Sequence, residues 1–457
     1  MGEPGAAGQP PRRCRYRPAR GREGFASSRP GGEIGFRIRG GELLRSTRQR
    51  PLAGWRAGEG SGAAPLPLLR AVGFVSTLDR FAMAPMLVAI AADLRAPLAA
   101  VVSAAGAYFL AYGLSQPVWG VVSDRFGRVR TMRLTLLLAG LLSMAAAVAG
   151  SVAVLAVTRG LAGGFFGAAY PSALIYLGDT VPAGTRQRAL ARLMVGVALG
   201  TALASAAAGS VADLSSWRLV FLATGAGAVV LSGVLRSLPE PVVGRPRTSP
   251  AAALRAIARS GPTLVVLGLA FVEGAVLVGV LTLVPTAAHA GGASLSLAGL
   301  ATAVYGLAVL VGSAVVARLS LTWHPWRLIA AGGAAAVLAC SLMAVTQEAW
   351  MAAAVAFLLG LAWTALHSSL QTWATEVLPG ARALVVACFA GSLFAGSSVA
   401  AVSLADLVDA GRFTVIFAGA AVLATSLTVA AAVARSRWTR PACHRADPET
   451  SGRGRTG

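Results

Sequence analysis

The sequence predicts an all-α, multi-pass membrane protein with twelve transmembrane helices arranged in two pseudo-symmetric bundles of six. Three observations predict this class. Apolar residues make up 56% and charged residues 13% of the 457 positions, whereas a soluble domain carries roughly a quarter charged residues. Apolar runs of membrane-spanning length follow one another, and the two halves of the chain resemble each other. An ordinary water-soluble domain, a disordered acidic protein and a disulfide-stapled secreted domain are therefore excluded.

The apolar runs begin near residue 67 and are separated by short polar turns. A helix needs about 20 residues to cross the hydrocarbon layer of a bilayer. We place the spans at 69–92, 99–122, 131–150, 153–175, 190–212, 217–238, 262–286, 294–317, 327–346, 349–370, 383–405 and 413–434. These spans make the lipid bilayer the main solvent of the protein.

The longest internal polar gap, 239–261, divides the spans into six and six. Internal similarity supports this division, because VGVALGTALASAAAGSVADL at 195–214 resembles VACFAGSLFAGSSVAAVSLADL at 386–407. Two similar halves place a cavity at their interface, near the middle of the bilayer. The expected domains are a leader at 1–66, an N-terminal bundle at 67–238, a cytoplasmic linker at 239–261, a C-terminal bundle at 262–434 and a cytoplasmic tail at 435–457.

The leader is rich in Gly, Pro and Arg, and it has no apolar run of signal-peptide length. We expect a disordered segment, or a start codon assigned too far upstream. A basic arm on the inner leaflet and an organelle transit peptide are the alternatives.

The net charge of +22 arises entirely from arginine, because the chain contains no lysine. If the N-terminus is inside, the cytoplasmic loops carry fifteen arginines and the opposite loops carry only Arg95, Arg218 and Arg412. This distribution predicts that both termini are cytoplasmic, in the cell (inner or plasma) membrane. It also accounts for the basic charge without a nucleic-acid partner. The four cysteines are scattered and suggest neither a disulfide framework nor a metal site.

The clearest short motif is GVVSDRFGRVR at 120–130, between the second and third spans. It resembles motif A of the major facilitator superfamily, and the matching residues are Gly120, Asp124, Arg125, Gly127 and Arg128. The resemblance extends over 67–434, through the twelve spans and the six-plus-six repeat. It implies a secondary transporter that works by alternating access.

Each motif residue has a physical role in this interpretation. Gly120 lets a neighbouring helix approach closely, and Gly127 permits a tight turn. By the resemblance, Asp124 engages the start of the eleventh helix and Arg128 pairs with Asp179. This latch is expected to stabilise the outward-facing state.

Charged residues inside the lipid span need a partner, a cavity or a proton. Asp79 is our first candidate for a proton-carrying carboxylate. The alternative is that Asp79 forms a permanent ion pair with Arg80 or Arg159. Arg159 is the favoured partner, because adjacent residues on a helix point in directions about 100° apart. The segment around Arg159, TRGLAGGFFGAA at 158–169, resembles motif B of the superfamily, which is linked to proton transfer. Glu273 could bind a cationic group, carry a proton or remain a neutral carboxyl.

Tyr108, Tyr112 and Gln116 recur every four residues on the second span and could line the cavity, although such a stripe more often serves packing. Three residues on or just beyond the tenth span are equally open to both interpretations: Trp363, Gln371 and Trp373. His367, also in the tenth span, lies closer to its cytoplasmic end.

The direction of transport is predicted less directly. Superfamily antiporters typically carry a Gly-Pro series, motif C, in the fifth helix, and here LGTALASAAAGS at 199–210 has lost the proline. The first span, with Asp79 followed by MLVAIAADL at 86–94, resembles drug-efflux members. We expect proton-coupled efflux of a small drug-like or amphipathic molecule, in preference to uptake of a metabolite.

The remaining class is a non-transporting receptor or membrane enzyme on the same scaffold. No HExxH or GxSxG motif is present, and a chain without lysine cannot form a Walker-type phosphate loop. We therefore expect no enzyme activity, no metal and no cofactor, with the proton gradient as the energy source. The expected partners are the small-molecule substrate, protons and lipid, and the expected state is a monomer.

Overall fold

The structure is a computed structural model that describes residues 66–181, 183–241 and 249–439. Within these ranges all regular elements are helical, and twelve helices are long and apolar enough to span a membrane. They are α1 Leu66–Asp93, α2 Leu98–Phe126, α3 Arg128–Ala147, α4 Val152–Thr180, α5 Arg188–Leu214, α6 Trp217–Ser237, α7 Gly261–Ala290, α8 Leu295–Leu319, α9 Pro325–Val345, α10 Ala349–Val377, α11 Pro379–Ser403 and α12 Phe413–Arg437. The predicted fold class and the twelve spans are confirmed. The leader before residue 66, part of the linker and the tail after residue 439 lie outside the described residues.

Several helices run past the predicted spans. Helix α4 continues to Thr180 and α10 to Val377, each several residues beyond the apolar run. A helix does not end where the hydrocarbon ends, because its backbone hydrogen bonds are satisfied internally in lipid and in water alike. Short stretches of different winding interrupt three helices: a 3₁₀ turn at Ala84–Met86 in α1 and π-helical segments at Gly274–Gly279 in α7 and Trp363–His367 in α10.

The helices pack as two bundles with the same internal arrangement. In the first half α1 packs on α5, α2 on α4, and α3 on α4 and α6. The same pairings recur six helices later, with α7 on α11, α8 on α10, and α9 on α10 and α12. The main contacts between the halves are α2 with α11 and α5 with α8. Helices α5 and α11 carry the two similar sequence segments, so the internal repeat marks helices at the interface.

Small residues bring the two halves into close contact. A Cβ atom placed on Gly113 would lie 2.9 Å from the carbonyl oxygen of Gly391, and one on Gly299 would lie 2.4 Å from that of Ser205. Backbones can approach this closely only where side chains are missing or small. The interface is therefore built on backbone packing.

Two carboxylates join the halves at the predicted outer end. Asp409, which follows α11, accepts hydrogen bonds from the backbone nitrogens of Leu98 (2.8 Å) and Ala99 (3.4 Å) in the first turn of α2. Asp213, at the end of α5, accepts from the nitrogen (3.2 Å) and hydroxyl (2.7 Å) of Ser296 in the first turn of α8. Each carboxylate satisfies donors that a helix start leaves unpaired and lies at the positive end of the helix dipole. These two contacts therefore hold the halves together at the predicted outer end.

The predicted cytoplasmic end is different. Gly120 lies two turns beyond Gly113 on α2, and no atom of the described residues lies within 4 Å of the position that its Cβ would occupy. In this conformation the expected close packing of a neighbouring helix against Gly120 is therefore wrong for the described part of the chain. The two halves are therefore joined at the predicted outer end, and they leave free space beside Gly120 near the predicted cytoplasmic end.

Candidate functional site

The centre of the first half contains a fully buried ion pair. Nη1 of Arg159 on α4 lies 2.9 and 3.1 Å from the two carboxylate oxygens of Asp79 on α1, and its Nη2 donates to the backbone oxygen of Asp79 at 3.0 Å. Both side chains have no exposed surface. The rings of Tyr108 and Phe221 lie against the guanidinium, each centroid 4.5 Å from Cζ. Of the two partners considered for Asp79, the structure therefore brings Arg159 into contact.

Two hydroxyl groups complete the shell of this carboxylate. Ser143 on α3 and Thr224 on α6 each donate to Oδ1 of Asp79 at 2.9 Å. Four helices thus meet at one carboxylate. This arrangement holds α1, α3, α4 and α6 together. A proton-carrying role for Asp79 stays a prediction.

Arg80, the next residue, faces a different environment. Its Nη1 donates to the hydroxyl of Tyr112 at 3.0 Å, and its Cζ lies 5.1 Å from the Tyr112 ring centre and 5.5 Å from that of Phe394. Among the described residues no carboxylate lies within salt-bridge distance of Arg80, and its Nε has no partner. Because Phe394 is on α11, this guanidinium lies among rings from both halves of the protein.

A cavity adjoins Arg80 at the interface between the halves. It is narrow in this conformation, with a volume of about 10 Å³ open to the centre of a water-sized sphere. Its walls come from α1, α2 and α4 of the first half and from α7 of the second half, and they are formed by Arg80, Met83, Ala84, Ala105, Tyr108, Phe109, Arg159 and Thr282. The repeat predicts a cavity at this place, and the structure has one with a cationic and aromatic lining.

The predicted polar stripe on α2 divides between two functions. Tyr108 lines the cavity and packs under Arg159, whereas Tyr112 holds Arg80. Gln116 is buried, one turn closer to the predicted cytoplasmic end. The stripe therefore serves packing and the cavity wall together.

The second half contains its own buried titratable pair. Oε1 of Glu273 on α7 lies 3.1 Å from Nδ1 of His367 on α10. Glu273 has no exposed surface, and its Oε2 is buried without a hydrogen-bond partner. The imidazole stacks on the ring of Trp363, with centroids 3.8 Å apart. Sequence reasoning singled out both residues, but it did not bring them together.

The remaining α10 candidates lie elsewhere. Gln371 is exposed, and Trp373 is buried beside Arg435, whose Cζ lies 5.6 Å from the ring centre. Neither residue reaches the cavity next to Arg80.

Motif A forms a compact turn between α2 and α3. Arg128 pairs with Asp124, and its Nε lies 3.5 Å from a carboxylate oxygen of Asp179 at the end of α4. Gly127 has φ of +103°, a conformation that residues with a side chain rarely adopt. Arg125 is exposed. The predicted Arg128–Asp179 contact is present, whereas within the described residues Asp124 makes no ion pair with α11. The contact of Asp124 with α11, which we expect in the outward-facing state, stays a prediction.

Sequence reasoning missed the residue that completes this turn. The carboxylate of Glu240, just after α6, accepts hydrogen bonds at 3.1 Å from the backbone nitrogens of Val129 and Arg130. It occupies the start of α3, where unpaired donors and the helix dipole favour an anion. The only signal in the sequence is a single acid at the start of the polar linker.

The motif B glycines allow α4 to pack tightly on α2. A Cβ on Gly163 would lie 2.4 Å from the carbonyl oxygen of Tyr108, and one on Gly167 would lie 2.6 Å from that of Tyr112. This is the close contact that their spacing predicts. Because α4 carries Arg159 and α2 carries Tyr112, the contact fixes the distance between the ion pair and Arg80's partner.

Comparison with known proteins places these features in context. Residues 71–401 match the family described as the Major Facilitator Superfamily. A curated relative, the 3-(3-hydroxy-phenyl)propionate transporter of Escherichia coli (strain K12), is 33% identical over 141 residues, which are 31% of this chain and 35% of the relative. The chain thus matches about a third of that relative's length.

Solved structures share the fold at low identity. The nucleoside transporter NupG, in a variant form, superposes with a TM-score of 0.68 at 12% identity, covering 81% of this chain and 100% of that one. A D-xylose-proton symporter gives 0.62 at 19% identity, covering 79% and 96%. A bacterial homologue of the human lysosomal transporter Spinster gives 0.60 at 17% identity, covering 83% and 100%.

Proposed function

Because the chain belongs to the Major Facilitator Superfamily, and is thus a multi-pass membrane transporter, we propose that it moves a small amphipathic organic anion, an aromatic carboxylate, in a proton-coupled cycle. We place it in the cell membrane with both termini cytoplasmic, following the arginine distribution. We further propose that it works as a monomer without a cofactor, driven by the proton gradient.

The observation that carries the substrate class is the environment of Arg80. Its guanidinium lies beside the cavity between the halves, and no described carboxylate lies within salt-bridge distance of it. A cation at this depth is costly unless it has a partner. Its charge and its fork of donors suit a planar carboxylate, which guanidinium groups bind through two parallel hydrogen bonds. The substrate would therefore provide the missing anion.

The aromatic class of the substrate follows from the neighbouring rings. Tyr108 and Phe109 line the cavity, and Phe394 lies next to Arg80. Apolar and aromatic walls with a few placed polar groups are typical of small-molecule sites. The curated relative is named for 3-(3-hydroxyphenyl)propionate, an aromatic ring with a carboxylate, and this supports the assignment.

The charge of the substrate bears on the direction of transport. An inside-negative potential opposes anion entry by about 2.3 kcal/mol per charge for each 100 mV. Accumulation inside the cell therefore requires at least one proton to enter with each carboxylate. We propose this symport, which is uptake, as the first candidate. Proton-exchanging efflux of the same anion is the second candidate, because the first span resembles drug-efflux members.

The test uses purified protein in proteoliposomes, with 3-(3-hydroxyphenyl)propionate as the probe. Counterflow should be saturable, and a neutral analogue in which an alcohol replaces the carboxylate should compete poorly. Arg80→Gln should raise KM roughly ten- to hundredfold, the equivalent of losing a hydrogen bond to a charged group. Arg80→Lys, which retains the charge, should lose less. The matched control is Arg218→Gln, which removes an arginine from the predicted outer surface.

Two outcomes would contradict the proposal. An unchanged KM in Arg80→Gln would remove this residue from the site, and equal competition by the alcohol would remove the carboxylate requirement. Direction is read separately by reversing the pH gradient across the vesicles. Accumulation that needs an acidic exterior indicates symport, and accumulation that needs an acidic interior indicates exchange.

A further inference from the structure

We propose that Glu273 and His367 form the site that binds the transported proton. This inference rests on the proposed proton coupling, and it moves the proton from Asp79 in the first half of the molecule to a pair in the second half. The argument depends on the partners of each carboxylate and on the contacts that join the pair to Arg80.

The two buried carboxylates differ in what neutralises them. Asp79 faces Arg159, whose guanidinium stays charged at every accessible pH, and two hydroxyls also donate to the carboxylate. Releasing or binding a proton there would leave a buried charge without compensation. Glu273 faces an imidazole, which changes charge near neutral pH, and its second oxygen has no donor. Only the second pair can gain and lose a proton without breaking a permanent ion pair.

The proton balance of the site is simple. With a neutral imidazole and an ionised carboxylate, the pair carries one negative charge, and Nδ1–H of His367 donates to Oε1 of Glu273. Binding one proton makes the pair neutral overall, either as imidazolium and carboxylate or as imidazole and carboxylic acid. The same proton leaves when the cavity opens to the other side of the membrane.

Arg80 of the first half lies near the pair, because Tyr305 is within electrostatic range of both Arg80 and Glu273. Glu273 and His367 pair with each other and with no other ionisable side chain among the described residues. The elements packed against the pair are α7 to α12 and the linker helix Pro250–Arg259. Most of their charged or titratable side chains lie near helix ends or on the linker helix: Arg255, Arg259, His289, Arg318, Arg327, Glu376, Arg382, Arg435 and Arg437. The exceptions are Tyr305, Cys340 and Cys388, which lie further inside their helices. Within the described residues, the proposed proton site is therefore this pair, with Arg80 as a nearby fixed charge.

Backbone contacts connect the pair to the proposed anion site. The residue after Glu273 is Gly274, where a Cβ would lie only 1.7 Å from the carbonyl oxygen of Leu393 on α11. The next residue, Phe394, has its ring 5.5 Å from Arg80. A π-helical segment starts at Gly274, and another one ends at His367, so the local winding is irregular on both sides of the pair. Such segments are often found at functional sites. Glu273 and Phe394 are thus each one residue away from the contact between Gly274 and Leu393. A change of charge at Glu273 can reach the ring beside Arg80 through this contact.

The first experiment does not depend on any substrate. Infrared difference spectra of the full chain in lipid nanodiscs are recorded as the pH is changed, following carboxyl and imidazole bands. The expected result is a one-proton titration that is lost in Glu273→Gln and displaced in His367→Gln. The matched control is Glu376→Gln, which changes a carboxylate on the same helix as His367 and should leave the signal intact. A signal that persists in Glu273→Gln would overturn the proposal.

The second experiment separates this inference from the proposed function. In proteoliposomes, Glu273→Gln should retain counterflow of 3-(3-hydroxyphenyl)propionate but lose at least tenfold of its accumulation driven by a pH gradient. Unchanged gradient-driven accumulation would overturn the proton site. If the wild-type protein does not carry this probe, the proposed substrate is wrong, and the infrared titration still decides the proton site by itself.

Discussion

Replacing Asp79 by Asn should destabilise the protein strongly, because it leaves Arg159 buried without a counter-charge. The new amide oxygen can still accept from Ser143 and Thr224, both of which now donate to Oδ1 at 2.9 Å. The NH₂ group, however, would replace Oδ2 and face Nη1 of Arg159, which is 2.9 Å away. Two donors would then oppose each other in an environment without solvent.

The magnitude follows from the burial of the pair. Removing one partner of a fully buried ion pair costs about 3–5 kcal/mol, and both side chains here are 0% exposed. The retained hydroxyl contacts place Asp79→Asn near the lower end of that range. The matched control is Asp93→Asn, which breaks the Asp93–Arg218 pair at the predicted outer surface. Its side chains are 47% and 33% exposed, so the expected loss is at most about 1 kcal/mol.

The assay is equilibrium unfolding in mixed detergent micelles, compared across a double-mutant cycle. Asp79→Asn combined with Arg159→Gln removes both charges and should recover part of the loss, giving a coupling energy of about 1–3 kcal/mol. If Asp79→Asn unfolds no more easily than Asp93→Asn while gradient-driven transport disappears, Asp79 is the proton carrier and its pairing is not structural.

Two further predictions concern helix contacts. Gly167→Val should prevent accumulation of folded protein, because a Cβ there would lie 2.6 Å from the carbonyl oxygen of Tyr112. The control Gly164→Ala should express normally, because the nearest atom to its Cβ is 3.8 Å away. Equal amounts of both variants in a blot of the membrane fraction would contradict the packing. Asp409→Asn should weaken the cap on α2 and raise labelling of a cysteine introduced at Thr282 by an impermeant reagent added outside; an unchanged labelling rate would show that the cap does not hold the outer side closed.

The fold could be predicted from sequence because lipid imposes strong rules on composition. The twelve apolar runs follow from helices that must satisfy their backbone hydrogen bonds inside hydrocarbon. The arginine asymmetry follows from the positive-inside rule, and the repeat at 195–214 and 386–407 marks the two halves. Motif spacing was also informative at Gly127 and at Arg128 with Asp179, where the chemistry lies within one turn or a short loop.

The site could be predicted only in part, because its contacts join residues far apart in the chain. Asp79 and Arg159 were recognisable as costly charges, but Ser143 and Thr224 are single hydroxyls in apolar helices and carry no signal of their own. The pairing of Glu273 with His367 depends on how α7 packs beside α10. Close packing against Gly120 was predicted and is not found in this conformation. A transporter passes through several conformations, and the sequence alone does not say in which of them a given contact forms.

The two aspartate caps at the predicted outer end control how the two halves separate there. Asp409 and Asp213 fasten opposite edges of the interface, one for each half. With each cap contributing about 1 kcal/mol, severing both shifts the ratio of closed to open molecules by roughly thirtyfold, an amount that a bound solute can easily reverse. If only one cap is lost, the other still holds its own pair of helices together. The predicted outer end would then separate first beside the missing cap, and the two halves would rotate about the cap that remains.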